Sequence, residues 1–157
     1  MKITLLMIGK TSFPFVKEGI EMYEKRLIHY ISYNRVEITD LKKTSSLSKE
    51  QIKDKEGDLI LKHISSQDDL ILLDERGKSY SSIEWASYLE NKLVNSGKNI
   101  IFVIGGAYGF SEKVYNRANS TLSFSKMTFS HQIIRLFFTE QIYRAFTIIK
   151  GEPYHNE

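Results

Sequence analysis

The part of this chain best suited to chemistry is a pair of glycines that follows an apolar run. Residues 100–104 are apolar and mostly β-branched, and Gly105 and Gly106 come directly after them. Such a run predicts a buried parallel strand, and glycines at its end let a ligand approach the backbone closely. Open α/β sheets bind ligands at the carboxyl ends of their strands. A second loop, residues 124–129, precedes a long apolar helix, so we expect a ligand site in the last third of the chain.

The sequence lacks the signatures of several other chemistries. It contains no P-loop pattern, no Gly-x-Ser-x-Gly elbow and no Gly-x-Gly-x-x-Gly after the first strand, where Lys10 follows Gly9. Cysteine is absent, which excludes disulfides and thiolate chemistry. The histidines are scattered without metal-ligand spacing. We therefore expect no metal site.

Composition is that of an ordinary globular protein. The chain has 157 residues, of which 41% are hydrophobic and 26% are charged, which predicts one domain over residues 1–157. The net charge of +3 is compatible with an anionic partner but does not require one. No apolar run approaches the roughly 20 residues of a membrane span, and the start of the chain does not read as a secretory signal. We expect a soluble, cytoplasmic protein without membrane contact.

Strand and helix patterns alternate along the chain. Ser48 is a candidate N-cap for the second helix, Ser81 or Ser82 for the third, and the polar residues 74–77 predict a turn that ends the third strand. The alternation predicts an α/β fold with a mostly parallel sheet of five or six strands, covered on both faces. The predicted strands are residues 2–8, 35–41, 70–73, 100–104 and 121–124, and the predicted helices are residues 15–30, 49–63, 82–95, 111–118 and 130–149.

The last predicted helix is apolar around most of its circumference. A helix of this kind needs more cover than one sheet provides, so it is either buried between the sheet and neighbouring helices or packed against a second copy in a two-fold dimer. Its polar residues include two pairs spaced four apart, His131 with Arg135 and Glu140 with Arg144. Burying the charge of an arginine without a partner costs free energy. We therefore expect the two arginines of this apolar helix at the rim of a site or interface, facing phosphate or carboxylate.

Several of these segments occur together in the order and spacing of a known family. In these segments the chain closely resembles the ribosomal RNA large-subunit methyltransferase H family, a minimal class of SPOUT methyltransferases. The resemblance covers essentially the whole chain. The segments are Leu72-Leu73-Asp74 with Gly77-Lys78 and Ser81-Ser82, Gly105-Gly106 with Gly109, residues 122–129, His131-Gln132 with Arg135, Glu140-Gln141 with Tyr143-Arg144-Ala145, and residues 151–155.

The resemblance implies a dimeric SPOUT α/β-knot domain with a trefoil knot in its carboxyl-terminal part. It implies S-adenosyl-L-methionine as cofactor and, as substrate, a pseudouridine of 23S ribosomal RNA that is methylated at N3 on the assembled ribosome. Carried over position by position, the cofactor-binding residues are Leu73, Gly105, Phe124, Ser125, Lys126, Met127, Thr128 and Phe129.

The same resemblance implies a catalytic, RNA-facing set made of His131, Arg135, Tyr154 and His155. The N3 imide of pseudouridine must lose a proton before or during transfer, so a general base would help. His155 is the candidate proton acceptor, and Arg135 is the candidate group for neutralising a phosphate or the imide anion.

Two departures from the family's pattern bear on this interpretation. Residues 11–15 replace a loop that is often basic, which weakens the case for phosphate contacts there, and Ser130 stands where many members have proline. Serine can cap the following helix instead. Two alternatives stay open: a catalytically silent dimer of the same fold that binds RNA or a nucleotide, and a SPOUT methyltransferase that acts on transfer RNA.

Overall fold

Five parallel strands form the central sheet of the computed structural model, which describes residues 1–156. Their spatial order is β2-β1-β4-β3-β5, and every strand pair among the described residues is parallel. The strands are β1 (Lys2–Ile8), β2 (Ser32–Ile38), β3 (Asp69–Ser79), β4 (Ile100–Ile104) and β5 (Ser120–Ser123). The helices are α1 (Pro14–Leu27), α2 (Lys49–Leu61), α3 (Ser82–Asn95), α4 (Glu112–Arg117) and α5 (Ile133–Ile149).

The sheet is buried on both faces, as continuous apolar strands predict. Successive side chains of β1 point to opposite faces. Ile3, Leu5 and Met7 lie in the core cluster that α1, α3 and α5 cover. Leu6 and Ile8 lie in the cluster that α2 and α4 cover. The predicted α/β architecture with helices on both faces is confirmed. The trefoil knot stays a prediction.

Two helices begin with the serine caps that the sequence indicates. Ser48 Oγ accepts a hydrogen bond from the Gln51 main-chain N–H at 3.1 Å, and the Gln51 side chain accepts one from the Ser48 N–H. Ser81 and Glu84 form the same reciprocal pair before α3. These capping boxes satisfy main-chain donors that a helix leaves free, and they decide for Ser81 over Ser82.

The predicted end of the third strand at residues 74–77 is wrong. β3 continues to Ser79, and residues 74–77 bulge out of the ladder because Leu73 and Lys78 both pair with Leu122 of β5. Gly77 makes this possible: a Cβ on it would lie 2.7 Å from main-chain atoms of Leu122. The bulge turns residues 74–76 toward the same edge as the carboxyl ends of β4 and β5.

Long-range pairing also explains the other shifted boundaries. β2 starts at Ser32, three residues before the predicted start, because it pairs with β1 from Lys2↔Ser32 to Ile8↔Ile38. α5 starts at Ile133, and the three residues before it lie outside the helix. α5 packs between α1 and α3, which accounts for most of its apolar surface. Phe137 still points outward with 44% of its surface exposed.

We expect Gly77→Ala to destabilise the protein by about 3 kcal/mol, because the added methyl group meets the backbone of β5 and cannot be relieved by a rotamer change. Chemical denaturation measures this change. Gly97→Ala is the matched control: Gly97 has a φ of +62° and open space around it, so only the roughly 1–2 kcal/mol of left-handed strain applies. Equal costs for the two variants would contradict the close approach at Gly77.

Candidate functional site

A cavity of about 480 Å³ opens at the carboxyl ends of β3, β4 and β5. Three segments form its walls: residues 73–76 after the paired part of β3, residues 104–110 after β4, and residues 122–129 at the end of β5. Tyr115, His131 and Ile134 complete the lining. The volume is within the usual range of small-molecule sites, and the position is the one expected for an open α/β sheet.

Most of the residues predicted to contact a cofactor line this cavity. The seven are Leu73, Gly105, Phe124, Ser125, Met127, Thr128 and Phe129. Lys126 is exposed and does not line the cavity. The fold thus brings Leu73 and residues 105–129, which are distant in sequence, together around one cavity.

The wall after β4 is a tight turn closed by glycines. The Gly109 N–H donates to the Gly106 carbonyl at 3.2 Å, and Gly109 has a φ of +82°. A Cβ on Gly105 would lie 3.0 Å from the Phe110 ring, so a side chain larger than methyl at this position meets that ring. The main chain of the turn therefore faces the cavity directly.

The loop after β5 is shaped by its own small side chains. Ser123 Oγ donates to the Ser125 carbonyl at 2.9 Å, and Ser125 Oγ accepts from the Met127 N–H at 3.0 Å. Thr128 Oγ1 donates to Glu75 Oε2 at 2.8 Å, which ties the loop to the bulge of β3 across the cavity. The Phe124 ring stacks on the core residue Phe138 and anchors the start of the loop.

One carboxylate in the cavity wall is held in its ionised form. Asp74 accepts hydrogen bonds from the Tyr115 hydroxyl and from the Arg76 main-chain N–H. Burial opposes ionisation of Asp74, but these hydrogen bonds and the Arg76 charge outweigh it and lower the pKa of the Asp74 carboxyl. The cavity wall thus carries an ionised carboxylate beside the Arg76 guanidinium, which lines the same cavity.

Arg135 does not face the cavity or the solvent, so its predicted rim position is wrong. Its RNA-facing role stays a prediction. Its side chain is 0% exposed. The guanidinium donates to the Ile8 carbonyl at 2.7 Å, to the Gly9 carbonyl at 2.9 Å and to Thr11 Oγ1 at 3.0 Å. The burial is possible because these acceptors at and after the end of β1 satisfy the guanidinium donors.

Gln132 reinforces the same contact, and the sequence analysis assigned it no role. Its side-chain amide donates to the Lys10 carbonyl at 2.9 Å and accepts from the Ser12 N–H at 2.9 Å. Together with Arg135 it fixes residues 8–12 to the start of α5. The sequence offers one indication of this role: Gln132 is polar, follows His131 and comes directly before an apolar helix.

Tyr154 and His155 pack against α5 at Glu140 and Arg144, and neither lines the cavity. Arg144 contacts His155 Nδ1 at 3.2 Å and Glu140 at 2.6 Å, and Tyr154 donates to Glu140 at 3.0 Å. The terminal segment is therefore packed against α5. Burial, with hydrogen bonds to Tyr23 and Glu140, raises the pKa of the Tyr154 phenol, so this residue stays neutral.

Within one chain, the four predicted catalytic residues do not come together. His131 is at the cavity, Arg135 is buried beneath it, and the terminal pair packs against Glu140 and Arg144, further along α5. Among residues 1–156, no group of three or more His, Asp or Glu side chains is arranged to hold a metal ion. No helix in that described part is long and apolar enough to cross a membrane.

Comparison with known proteins identifies the class of this fold and site. A family described as "Predicted SPOUT methyltransferase" matches residues 1–155. The chain belongs to this SPOUT methyltransferase family. Proteins named ribosomal RNA large subunit methyltransferase H are similar to it over their full length. The one from Parabacteroides distasonis is 52% identical over 157 residues, covering 100% of both chains, and the one from Christiangramia forsetii is 53% identical over 156 residues, covering 99% of both.

We expect Arg135→Met to lower the free energy of unfolding by about 3 kcal/mol, because it leaves buried carbonyl groups without donors. Chemical denaturation measures this. Arg144→Met is the control, since its ion pair with Glu140 is partly exposed and contributes about 1 kcal/mol or less. A stable Arg135→Met protein that had lost only RNA affinity would support the RNA-facing role instead.

Proposed function

We propose that this protein transfers the methyl group of S-adenosyl-L-methionine to N3 of a pseudouridine in 23S ribosomal RNA, acting on the assembled ribosome in the cytoplasm. The observation that carries the proposal is the cavity at the strand ends, lined by seven of the eight residues that the family resemblance assigns to the cofactor. The printed names of the full-length relatives support a large-subunit ribosomal RNA substrate.

The residues around the cavity fit this cofactor. Main-chain groups of the turn after β4 are open to hydrogen bonding with an adenine ring, and Leu73 and Ile104 supply apolar walls. The ionised Asp74 carboxylate can accept a hydrogen bond from a ligand in the cavity. The cofactor supplies an already activated methyl group, so the protein has to align donor and acceptor rather than activate a nucleophile by covalent catalysis.

The acceptor nitrogen needs a group that removes or shares its proton. His131 is the predicted catalytic residue that lies at the cavity in the same chain. Tyr154 and His155 remain in the proposal as residues delivered by a second copy. With Arg135 buried, the positive charge at the cavity itself has to come from another residue.

A two-fold homodimer would bring the terminal pair to the cavity. An apolar groove of about 300 Å³ lies beside the cavity and shares Phe124 and Phe129 with it. Trp85 and the exposed Phe137 also line this groove. If two copies pack their α5 helices antiparallel over this face, the end of one α5 lies beside the start of the other. The partner's terminal segment then completes the site.

The two alternative functions can be distinguished from this proposal by cofactor binding and by labelling of RNA substrates. A silent RNA- or nucleotide-binding dimer would take up no label from S-adenosyl-L-methionine, and calorimetry would detect no binding of the cofactor or its demethylated product. An enzyme for transfer RNA would label transfer RNA alone. Incubating labelled cofactor separately with ribosomes lacking this modification, free 23S RNA and transfer RNA distinguishes all three.

We expect Gly105→Val to abolish cofactor binding, because its branched side chain meets the Phe110 ring and fills the cavity. Gly105→Ala is the matched control, since a single methyl group 3.0 Å from that ring requires only a small shift. Calorimetry with S-adenosyl-L-methionine measures both. Wild-type affinity in the valine variant would move the proposed site away from this strand end.

We expect His155→Ala to bind cofactor normally and to transfer methyl groups slowly. Co-expressing it with Gly105→Val tests whether each site uses both chains, because a mixed dimer then has one intact site. Activity should return to about a quarter of wild type for random pairing, although Gly105→Val alone is inactive and His155→Ala alone is slow. No recovery in purified mixed dimers would contradict a shared site.

A further inference from the structure

Glu56 is a buried carboxyl group that the proposed reaction does not use. It lies on α2 with 6% of its surface exposed. Among the described residues, its Oε2 atom has no hydrogen-bond partner. An unsatisfied buried polar atom costs free energy and calls for a reason.

The Glu56 carboxyl group lies directly behind the turn that forms one wall of the cavity. A Cβ on Gly106 would overlap this carboxyl group, with 2.9 Å to its Cδ and to its Oε1. Gly106 in turn accepts the hydrogen bond that closes the turn at Gly109. The other side of that turn, including Gly105, Tyr108 and Phe110, lines the cavity.

The helix that carries Glu56 is itself fixed close to this turn. A Cβ on the next residue, Gly57, would lie 3.1 Å from the Val114 side chain of α4, so the two helices are in close contact there. Lys113 and Asp58 add an ion pair of 2.7 Å between α2 and α4. The contacts with α4 therefore fix α2 in place, and Glu56 has little freedom to move away from Gly106.

We propose that Glu56 is a positioning residue for the cofactor site: its carboxyl group packs behind Gly106 and holds the turn of residues 105–110 in the shape that binds the methyl donor. This inference rests on the proposed function. Glu56 touches no cofactor atom, because it is on the far side of the turn from the cavity.

The charge state of Glu56 is part of this role. Burial, together with the nearby carboxylate of Asp40 in the segment after β2, raises the pKa of Glu56. Asp40 is the one charged side chain among the described residues that contributes to this shift. The turn faces Glu56 with Gly106, which carries no charge. Ser111 and Val114, at the start of α4, contact α2 and are also uncharged. The neutral form is the one that fits, and ionisation at higher pH places an uncompensated charge behind the turn.

The test is calorimetric binding of S-adenosyl-L-methionine across a range of pH. Wild-type affinity should fall as the pH rises through the raised pKa of Glu56. Glu56→Gln should bind like wild type at a pH below that pKa and lack this fall, because the amide cannot ionise. Glu56→Ala should bind on the order of tenfold more weakly at every pH, because the turn loses its support.

Asp40→Asn provides a control of opposite sign. Removing the Asp40 charge removes one cause of the raised Glu56 pKa, so the fall in affinity should begin at lower pH than in wild type. A purely structural role for Glu56 would lower the melting temperature of Glu56→Ala but leave the pH profile of Glu56→Gln unchanged. Identical pH profiles for wild type and Glu56→Gln would overturn the proposal.

Hydrogen exchange of the amides in residues 105–110 separates this inference from the proposed function. Glu56→Ala should exchange faster there than wild type, and Glu56→Gln should not, whether or not cofactor is present. If wild type bound no S-adenosyl-L-methionine, the proposed function would fail, and the exchange data would still support or reject the role of Glu56. Unchanged exchange in Glu56→Ala would reject it.

Discussion

The buried guanidinium of Arg135 is the contact on which the arrangement of the site depends. It joins the first turn of α5 to the end of β1 through two main-chain carbonyls and one hydroxyl. A buried cation is tolerated only when its donors are satisfied, so this geometry permits one position for the start of α5. The loop of residues 124–131 therefore runs between two fixed points, the end of β5 and the start of α5.

That constraint shapes one wall of the cavity, and glycines shape the other two. Gly77 lets the bulge of β3 lie against the backbone of β5, and Gly106 lets the turn after β4 lie against Glu56. The two sides of the turn after β4 also differ in the ionisation of their carboxyl groups. Asp74 is ionised on the cavity side because hydrogen bonds and Arg76 support it, whereas burial disfavours ionisation of Glu56 behind the turn.

The local elements were largely predictable from the sequence. The bounds of β1 and β4 match the predicted strands residue for residue. β4 is an uninterrupted apolar run, β1 is apolar apart from Lys2 and Thr4, and a glycine follows each strand. Ser48 was the predicted N-cap, since its spacing to Gln51 allows the reciprocal hydrogen bonds. The family resemblance selected seven residues that line one cavity. The boundaries of β2 and β3 were missed because pairing with distant strands, rather than local pattern, decides them.

By itself, the sequence determined the alternation of strands and helices, the absence of cysteine chemistry and the strand end where a ligand site should lie. These follow from periodicity, composition and the freedom of glycine, which are local properties. Only the tertiary structure decided which polar side chains are buried. Arg135 has the spacing of a surface residue paired with His131, yet it is held in the interior by hydrogen bonds to the carbonyls of Ile8 and Gly9, more than a hundred residues earlier. Glu56 shows the same limit, since the glycine turn that it supports is distant in sequence and adjacent only in space.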